Sequence, residues 1–499
     1  MEHRPGLYLG IDVGTSGARA LLMAEDGSVL RITSIAYPLS APKNGWAEQS
    51  PEQWWDAVAS AVRWTLLDGV ASELRAVGLT GQMHGLVCLD GGGNALRPAI
   101  LWCDQRTSVE CAEITEKIGA ERLIELTANP ALTGFTAPKI LWVRKNEPRV
   151  YEKTAKMMLP KDYIRYKLTG EHATDVSDAS GTGIFSVARR AWEPEVLEKL
   201  GIDPGLLGRV FESCEITGAV SAEASALTGI PEGTPVAAGA GDNAAAAVGT
   251  GVTRDGEAFV TIGSSGVVFA HTSHMTLDPR GRVHTFCAAV PNEWHVMGVT
   301  LAAGMSLKWF HDNFAPDKFY AELDDLASAV PIGSDRLLWL PYLNGERSPH
   351  LDPDCRGAFV GLSGSHGAGA LARAVMEGVT FSLRDCRDII AEMGVRFDGI
   401  TVCGGGGASP FWRQMLADVL AAPVSTVQTS EGPALGAAML ATVAVGAYSG
   451  VPEAADAIIR RRAPQQPDGE ANREYMRYHA LYGNLYESLR GDFKTLAGM

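Results

Sequence analysis

No two of the eight cysteines stand in a C-x-x-C spacing, so neither a zinc site nor a disulfide framework is signalled, and reduced thiols are expected. No run approaches the ~20 apolar residues that a membrane helix needs. From Met1 the chain enters Leu7-Tyr8-Leu9-Gly10-Ile11 without the charged and long apolar regions of a secretory leader. A cytoplasmic protein with no membrane partner is the expectation. Positive charge is the minority sign: 43 Lys and Arg face 58 Asp and Glu, a net charge of -15, which argues against a nucleic-acid partner. The one tight basic cluster, Arg460-Arg461-Arg462, precedes Ala463-Pro464 and reads as a helix end running into a solvated turn. There is no G-x-x-x-x-G-K-[ST] loop and no H-E-x-x-H pair, which argues against a Walker ATPase and a zinc hydrolase.

What is present suffices for two cores. The chain has 499 residues, 46% of them hydrophobic, more than one ordinary domain holds. Residues 7 to 36 read as a three-strand meander turning at Gly14-Thr15-Ser16-Gly17 and Asp26-Gly27. Ser50 as N-cap, Pro51 at N1 and Gln53 in a capping box predict a helix from Pro51 to about Leu67. Leu74 to Leu79 reads as a strand, Gly91-Gly92-Gly93 as a hairpin turn, and Val109 to Leu126 as helical. Near residue 258 the pattern restarts: Ala258 to Ile262, a Gly263-Ser264-Ser265-Gly266 turn, then Val267 to Ala270. Two matching turns, each opening a domain-sized block, indicate a duplication. Mixed α/β domains over 1–250 and 251–499 are expected.

Each turn offers backbone N–H groups and small hydroxyls to phosphate oxygens, or is an ordinary tight hairpin; the pair favours phosphate. Asp12 lies two residues before Gly14, whereas the second turn has Thr261 there. Asp12 is therefore a candidate Mg²⁺ anchor, through water, or a turn-capping residue. Around Gly239-Ala240-Gly241-Asp242-Asn243-Ala244 three readings compete. The segment satisfies a dinucleotide fingerprint, but a hairpin rather than a parallel strand follows it. Asp242 is otherwise a helix cap, or a carboxylate aimed into a cleft to accept a hydroxyl proton during phosphoryl transfer. Gly404-Gly405-Gly406-Gly407, between a strand and a helix, is either a tight turn or a floor for a purine and its ribose. Trp46, Trp54 and Trp55 are sugar-stacking or core aromatics.

Together these segments resemble the FGGY family of carbohydrate kinases from Leu7 to about Ala441. Gly134 to Asn146 fits its first signature; Gly357 to Leu362 and Ala374 to Glu377 fit its second, with Ala370 where an acidic or amide residue is usual. Gly81-Gln82-Met83-His84-Gly85, Leu101-Trp102-Cys103-Asp104 and Leu159-Pro160-Lys161-Asp162-Tyr163, with the Asp242 segment, are most similar to its xylulokinase subfamily. The resemblance implies two ribonuclease H-like (actin-like ATPase) domains around an interdomain catalytic cleft, and ATP and Mg²⁺ as cofactors. It implies that Met83, His84, Trp102, Asp104, Asp242 and Asn243 meet a ketopentose, with Asp242 as base. Gly14, Thr15, Ser16, Gly263, Ser264 and Ser265 would hold phosphates, and Gly404, Gly405 and Ser409 the adenosine. The expected partner is a small-molecule sugar; a homodimer is admitted without a sequence feature that argues for it. The rivals are kinases of the same family acting on ribulose, another ketose or glycerol, and an actin-like ATPase serving as chaperone or filament subunit.

Overall fold

A computed structural model describes residues 6–429 and 431–499; the reading of the first five residues as free of a leader lies outside them. Leu7–Val13 (β1) is buried along nearly its whole length, as an apolar run without alternation requires of a central strand. It returns as β2 (Gly17–Ala24) and β3 (Val29–Ala36), both pairings antiparallel. β3 alternates half-buried and exposed residues because it forms the sheet edge. Helix α1 (Pro51–Thr65) starts at Ser50, whose side chain accepts from the Gln53 N–H. It buries Trp54 and Trp55 against the sheet, and Trp46 carries the Arg106 guanidinium over its ring at 3.6 Å; all three are structural. β4 (Leu74–Gly81) lies parallel to β1, and β5 (Ile216–Ala219) and β6 (Pro235–Ala237) complete the order β5-β6-β4-β1-β2-β3. The helical stretches expected from Val109 to Leu126 are two helices, divided at Gly119, which takes φ 92°.

Helix α2 (Asp242–Gly249) leads to the second half. There β7 (Glu257–Ile262), β8 (Gly266–Thr272), β9 (His284–Cys287) and β10 (Trp294–Thr300) precede helices α3 (Gly304–Phe314) and α4 (Ala368–Glu392). Ala370 is the third residue of α4 and is buried, so it sits inside the first turn rather than at the cap. β11 (Gly399–Cys403), α5 (Pro410–Leu420) and β12 (Val424–Ser425) give the order β9-β10-β8-β7-β11-β12. The runs β3-β2-β1-β4-β6 and β10-β8-β7-β11-β12 share order and pairing sense: an antiparallel meander with two parallel strands added beside its first member. The duplication read from two turns thus extends to whole sheets.

The second half does not stay in its own domain. Helices α6 (Gly432–Ala444) and α7 (Val451–Ile458) return to the first sheet and share a core with Tyr8, Leu21, Met23 and Ala76. Small residues make the return possible. A Cβ on Gly10 would lie 2.0 Å from the Ala434 carbonyl oxygen, and one on Gly78 1.8 Å from that of Ala437; one on Gly436 would lie 1.9 Å from the Ala245 oxygen in α2. α6 is thereby pressed between β1, β4 and α2 at backbone contact. Gly78→Ala is expected to cost about 3 kcal/mol, the upper end for overpacking, because the obstacle is backbone and cannot turn aside; an unchanged thermal unfolding midpoint would refute this packing.

From α7 the chain recrosses as a strap bridging β12 and the residues after it, Val424 to Gln465 and Val427 to Arg461, and ends in α8 (Gly469–Ala497). Arg460 to Arg462 follow the end of α7 and are exposed, as expected of a helix end running into a solvated turn, but they are not idle. Arg461 donates to the Gly251 carbonyl and pairs with Glu257, tying the strap to the link between α2 and β7.

Candidate active site

The β1–β2 turn closes through Gly14 N–H to the Gly17 carbonyl at 3.0 Å. Its carbonyls are held from outside. Gln49 Nε2 donates to Thr15 O at 2.7 Å and Tyr37 OH to Gly14 O at 2.5 Å. Thr15 Oγ1 donates to Gln82 Oε1 and accepts from the Trp102 indole at 2.9 Å. The Ser16 hydroxyl, exposed at the tip, has no partner among the described residues. Asp12 faces Arg19 across the hairpin. Burial first, then the negative charges of Asp242 and Glu431, push its carboxyl up to about 7, with Arg19 pulling the other way.

Asp242 is the first residue of α2, whose N-cap is Gly241 with no side-chain cap bond. Asp242 is thus not the N-cap residue, although its side chain still serves the helix start: Oδ1 accepts from Asn243 N–H at 2.7 Å and Asn243 Nδ2 at 2.9 Å, one residue away. Burial raises its carboxyl to about 6, the Asn243 bonds opposing. The dinucleotide reading fails, because β7, the next strand, belongs to the other sheet. Glycines place this turn against its neighbours. Gly239 takes φ 75° where a Cβ would lie 1.9 Å from the Leu79 carbonyl oxygen, and a Cβ on Gly241 would lie 2.8 Å from Met83 Sδ. Met83 thus packs against the turn that carries Asp242, buried with Phe259, Phe269, Phe286 and Met297. Gly241 N–H donates to Ser177 Oγ, and Ser177 Oγ to Asp175 Oδ2. Asp175 meets Lys161 Nζ at 2.9 Å, as do Asp162 at 2.7 Å and Asp178 at 3.5 Å, all fully buried.

His84 follows Met83 at φ 69°. Its Nδ1–H donates to the Gly181 carbonyl at 2.7 Å, the direction a carbonyl acceptor requires, which leaves Nε2 as an acceptor. Burial and the charge of Lys139 hold the ring neutral, its pKa well below the usual range. The ring stacks on Phe135 at 4.8 Å. Lys139, fully buried, donates to the His84 and Gly134 carbonyls, and burial lowers its pKa to about 7. Trp102 is 38% exposed and spans from this loop to Thr15. Asp104 does not face the cleft. It is 0% exposed, with its oxygens on Arg106 and the Ala47 N–H; it fixes the turn that presents Trp102.

In the β7–β8 turn, Gly263 N–H closes on Ser265 O at 3.1 Å, and the Gly263 and Ser264 carbonyls accept from Gly304, Ala303 and Met305 at the start of α3. The Ser264 and Ser265 hydroxyls have no partner among the described residues. Gly404, at φ 80°, rests on this turn: a Cβ there would lie 2.6 Å from the Ile262 carbonyl oxygen. A cavity of ≈ 730 Å³ runs from Asp242 and Asn243 past Thr261 to Gly404, Gly407 and Arg413. Arg462 lines it too. Gly405 is exposed and absent from the lining. The Ser409 hydroxyl caps α5, accepting from Trp412 N–H at 3.0 Å.

The site comprises two phosphate-type turns, one in each sheet, a raised carboxylate lining a nucleotide-sized cavity, and a neutral histidine just beyond the end of β4. Residues 7–249 match the N-terminal domain of the FGGY family of carbohydrate kinases, and residues 258–445 its C-terminal domain. The chain belongs to the FGGY family. It is 39% identical over 482 residues to the xylulose kinase of Bacillus subtilis (strain 168), covering 96% of each protein. To the xylulose kinase of Escherichia coli (strain K12) it is 38% identical, over 97% of this chain and 99% of that one. Among solved structures, a xyloylose kinase from Brucella ovis superposes with a TM-score of 0.90 at 36% identity, over 97% of this chain and 99% of the other. This FGGY protein is therefore an ATP-using carbohydrate kinase of actin-like fold acting on a small-molecule sugar, and the chaperone or filament alternative falls away. No helix among the described residues is long and apolar enough to cross a membrane.

Sequence reasoning missed several residues that build the site. Gln49, Tyr37 and Gln82 fix the first turn; Lys139 fixes the His84 loop; Arg413 and Arg462 line the cavity. Only Lys139 and Gln82 carried a signal, since both lie inside motifs quoted for the family; the others reach the cleft from unrelated segments.

Proposed function

We propose that this kinase phosphorylates D-xylulose to D-xylulose 5-phosphate by direct in-line transfer, with Asp242 as the base. The observation that carries the chemistry is Asp242, with a carboxyl at about 6: ionised at neutral pH, yet basic enough to take a hydroxyl proton as the bond forms. The sugar rests on the likeness, over nearly the full length, to proteins named xylulose kinases. The ketose lies on the first-domain wall, against Met83, His84 and Trp102, and the purine and ribose lie on Gly404 to Gly407. Asn243 orients Asp242 through Oδ1. The sugar oxygen gives its proton to Asp242 and bonds to the γ-phosphorus while the bridging P–O bond to the β-phosphate breaks, releasing ADP. Ser16, Ser264, Ser265 and the turn N–H groups hold the phosphates, and closure of the domains would exclude water.

Mg²⁺ fits Asp12. Among the described residues no group of three or more His, Cys, Asp or Glu is placed to hold a metal, which matches an ion bound mostly through phosphates, water and one or two carboxylates. The mutual field of Asp12, Asp242 and Glu431, opposed by Arg19, is a surplus of negative charge that a divalent cation offsets. When bound it would shield the charge on the transferring phosphoryl group.

Comparing ADP release and mass-identified products for D-xylulose, D-ribulose and glycerol tests the substrate. D-xylulose is expected to lead in kcat/KM by at least about tenfold, the discrimination one charged hydrogen bond supplies. If another of the three leads, the sugar is wrong while the kinase class stands.

A further inference from the structure

Arg347 is a cation without an assigned task. Among the described residues its guanidinium has no hydrogen bond and no ion pair, although the side chain is only half-exposed at most. A shielded guanidinium without a partner costs free energy, so such a group is retained for a ligand or tolerated at a loss. Its loop is rigid. Glu346 Oε1 accepts from Leu301 N–H and from Arg347 N–H, both at 2.8 Å. Ser348 N–H donates to the Val299 carbonyl, and Ser348 Oγ to that of Arg282 at 2.7 Å. Leu301 lies between β10 and α3, so Arg347 projects from the second domain.

What it faces belongs to the first. A Cβ on Gly134 would lie 4.0 Å from Arg347 Nη2 and 2.9 Å from the Trp102 carbonyl oxygen; the missing side chain leaves that gap open. The charge of Arg347 is felt at His84 and at His284, and is not among the influences on Asp242. The Gly134–Trp102 wall it faces is the one that Lys139 ties to the His84 loop, which is the end of the sugar remote from the hydroxyl that is phosphorylated. At that end a ketose carries a carbonyl, its one oxygen that only accepts, beside a terminal hydroxyl. Arginine only donates, and His84 Nε2 accepts.

We propose that Arg347, carried by the second domain, donates to the carbonyl oxygen of the ketose while His84 Nε2 accepts from the adjacent hydroxyl, so that the α-hydroxyketone is read across the interdomain cleft. This rests on the site being that of a ketose kinase. It also makes the sugar a bridge between domains: the ketose touches a second-domain side chain before any phosphate moves.

The test compares the parent, Arg347→Met and Arg347→Lys on D-xylulose and on the two pentitols formed by reducing its carbonyl, xylitol and D-arabinitol. For Arg347→Met the KM for D-xylulose is expected to rise roughly ten- to hundredfold, as loss of a charged hydrogen bond implies, with the KM for ATP within about twofold. Turnover of the pentitols should be unaffected, so the preference for the ketose collapses; Arg347→Lys should restore part of it. A D-xylulose KM within about twofold of the parent overturns the proposal, as does an equal loss on ketose and pentitols. Faster turnover of D-gluconate than of any ketose by the parent also overturns it, because a carboxylate would then claim the guanidinium. If Arg347→Met does not fold, Arg347→Gln is read by the same ratio. Parent protein that phosphorylates none of these ketoses instead removes the functional reading on which the proposal stands.

Discussion

Asp242→Asn is expected to lower kcat by about 10²- to 10⁴-fold, the usual contribution of a general base, with the KM for ATP nearly unchanged. The substitution keeps shape and removes the proton acceptor. In the parent, kcat/KM should fall below about pH 6 as Asp242 protonates; residual activity of the variant should lose that limb. Stability should move the opposite way. Asp242 and Asp12 have carboxyls raised from 3.8 to about 6 and about 7, so between pH 4 and 7 the folded chain binds more protons than the unfolded one. Stability therefore falls as pH rises through that window. Asp242→Asn removes its share, up to about 3 kcal/mol by the size of the shift and less because the carboxylate opens to the cleft. The variant's thermal midpoint should exceed the parent's at pH 8 and equal it near pH 4. Phosphoryl transfer by the variant at close to the parent rate would place the base elsewhere.

Lys161→Met is expected to destabilise the fold by about 3–5 kcal/mol, the cost of breaking a buried ion pair by removing one partner. Lys161 is the ammonium among Asp162, Asp175 and Asp178, all fully buried. Asp178 is the contrasting case. Burial pushes its carboxyl well above the usual range, with the Lys161 charge opposing, which favours the neutral form, and Asp178→Asn should change stability by less than about 1 kcal/mol. Urea unfolding of the two variants separates them; equal losses would mean that Asp178 is ionised. Because Ser177 joins Asp175 to the Gly241 N–H, Lys161→Met should also cost activity by loosening the turn that carries Asp242.

The parts legible in the sequence were those whose cause is local. Two glycine turns between apolar strands foretold both hairpins, and the Ser50-Pro51 start foretold α1, because turn chemistry and caps act within a few residues. Asp242 could be located as the residue after a glycine turn, and Met83 and His84 as the end of β4. Their partners could not. Asp104 shares a segment with Trp102, yet it turns inward to Arg106 and Ala47 because its neighbour two residues on is a buried cation. The sequential boundary near residue 250 also says nothing of α6, which lies almost two hundred residues later and packs on β1 and β4 through Gly10 and Gly78.

The sequence alone therefore determined the repeated strand-turn-strand units and the carboxylate beside the first candidate phosphate turn, since each depends on residues adjacent in the chain, and the family resemblance supplied the class of chemistry. Tertiary structure decided the rest. Whether the Asp242 carboxyl is raised by burial, whether a histidine is neutral, and which cation lacks a partner all depend on burial and on charges brought from distant segments, and these exist only once both sheets and the returning helices have packed.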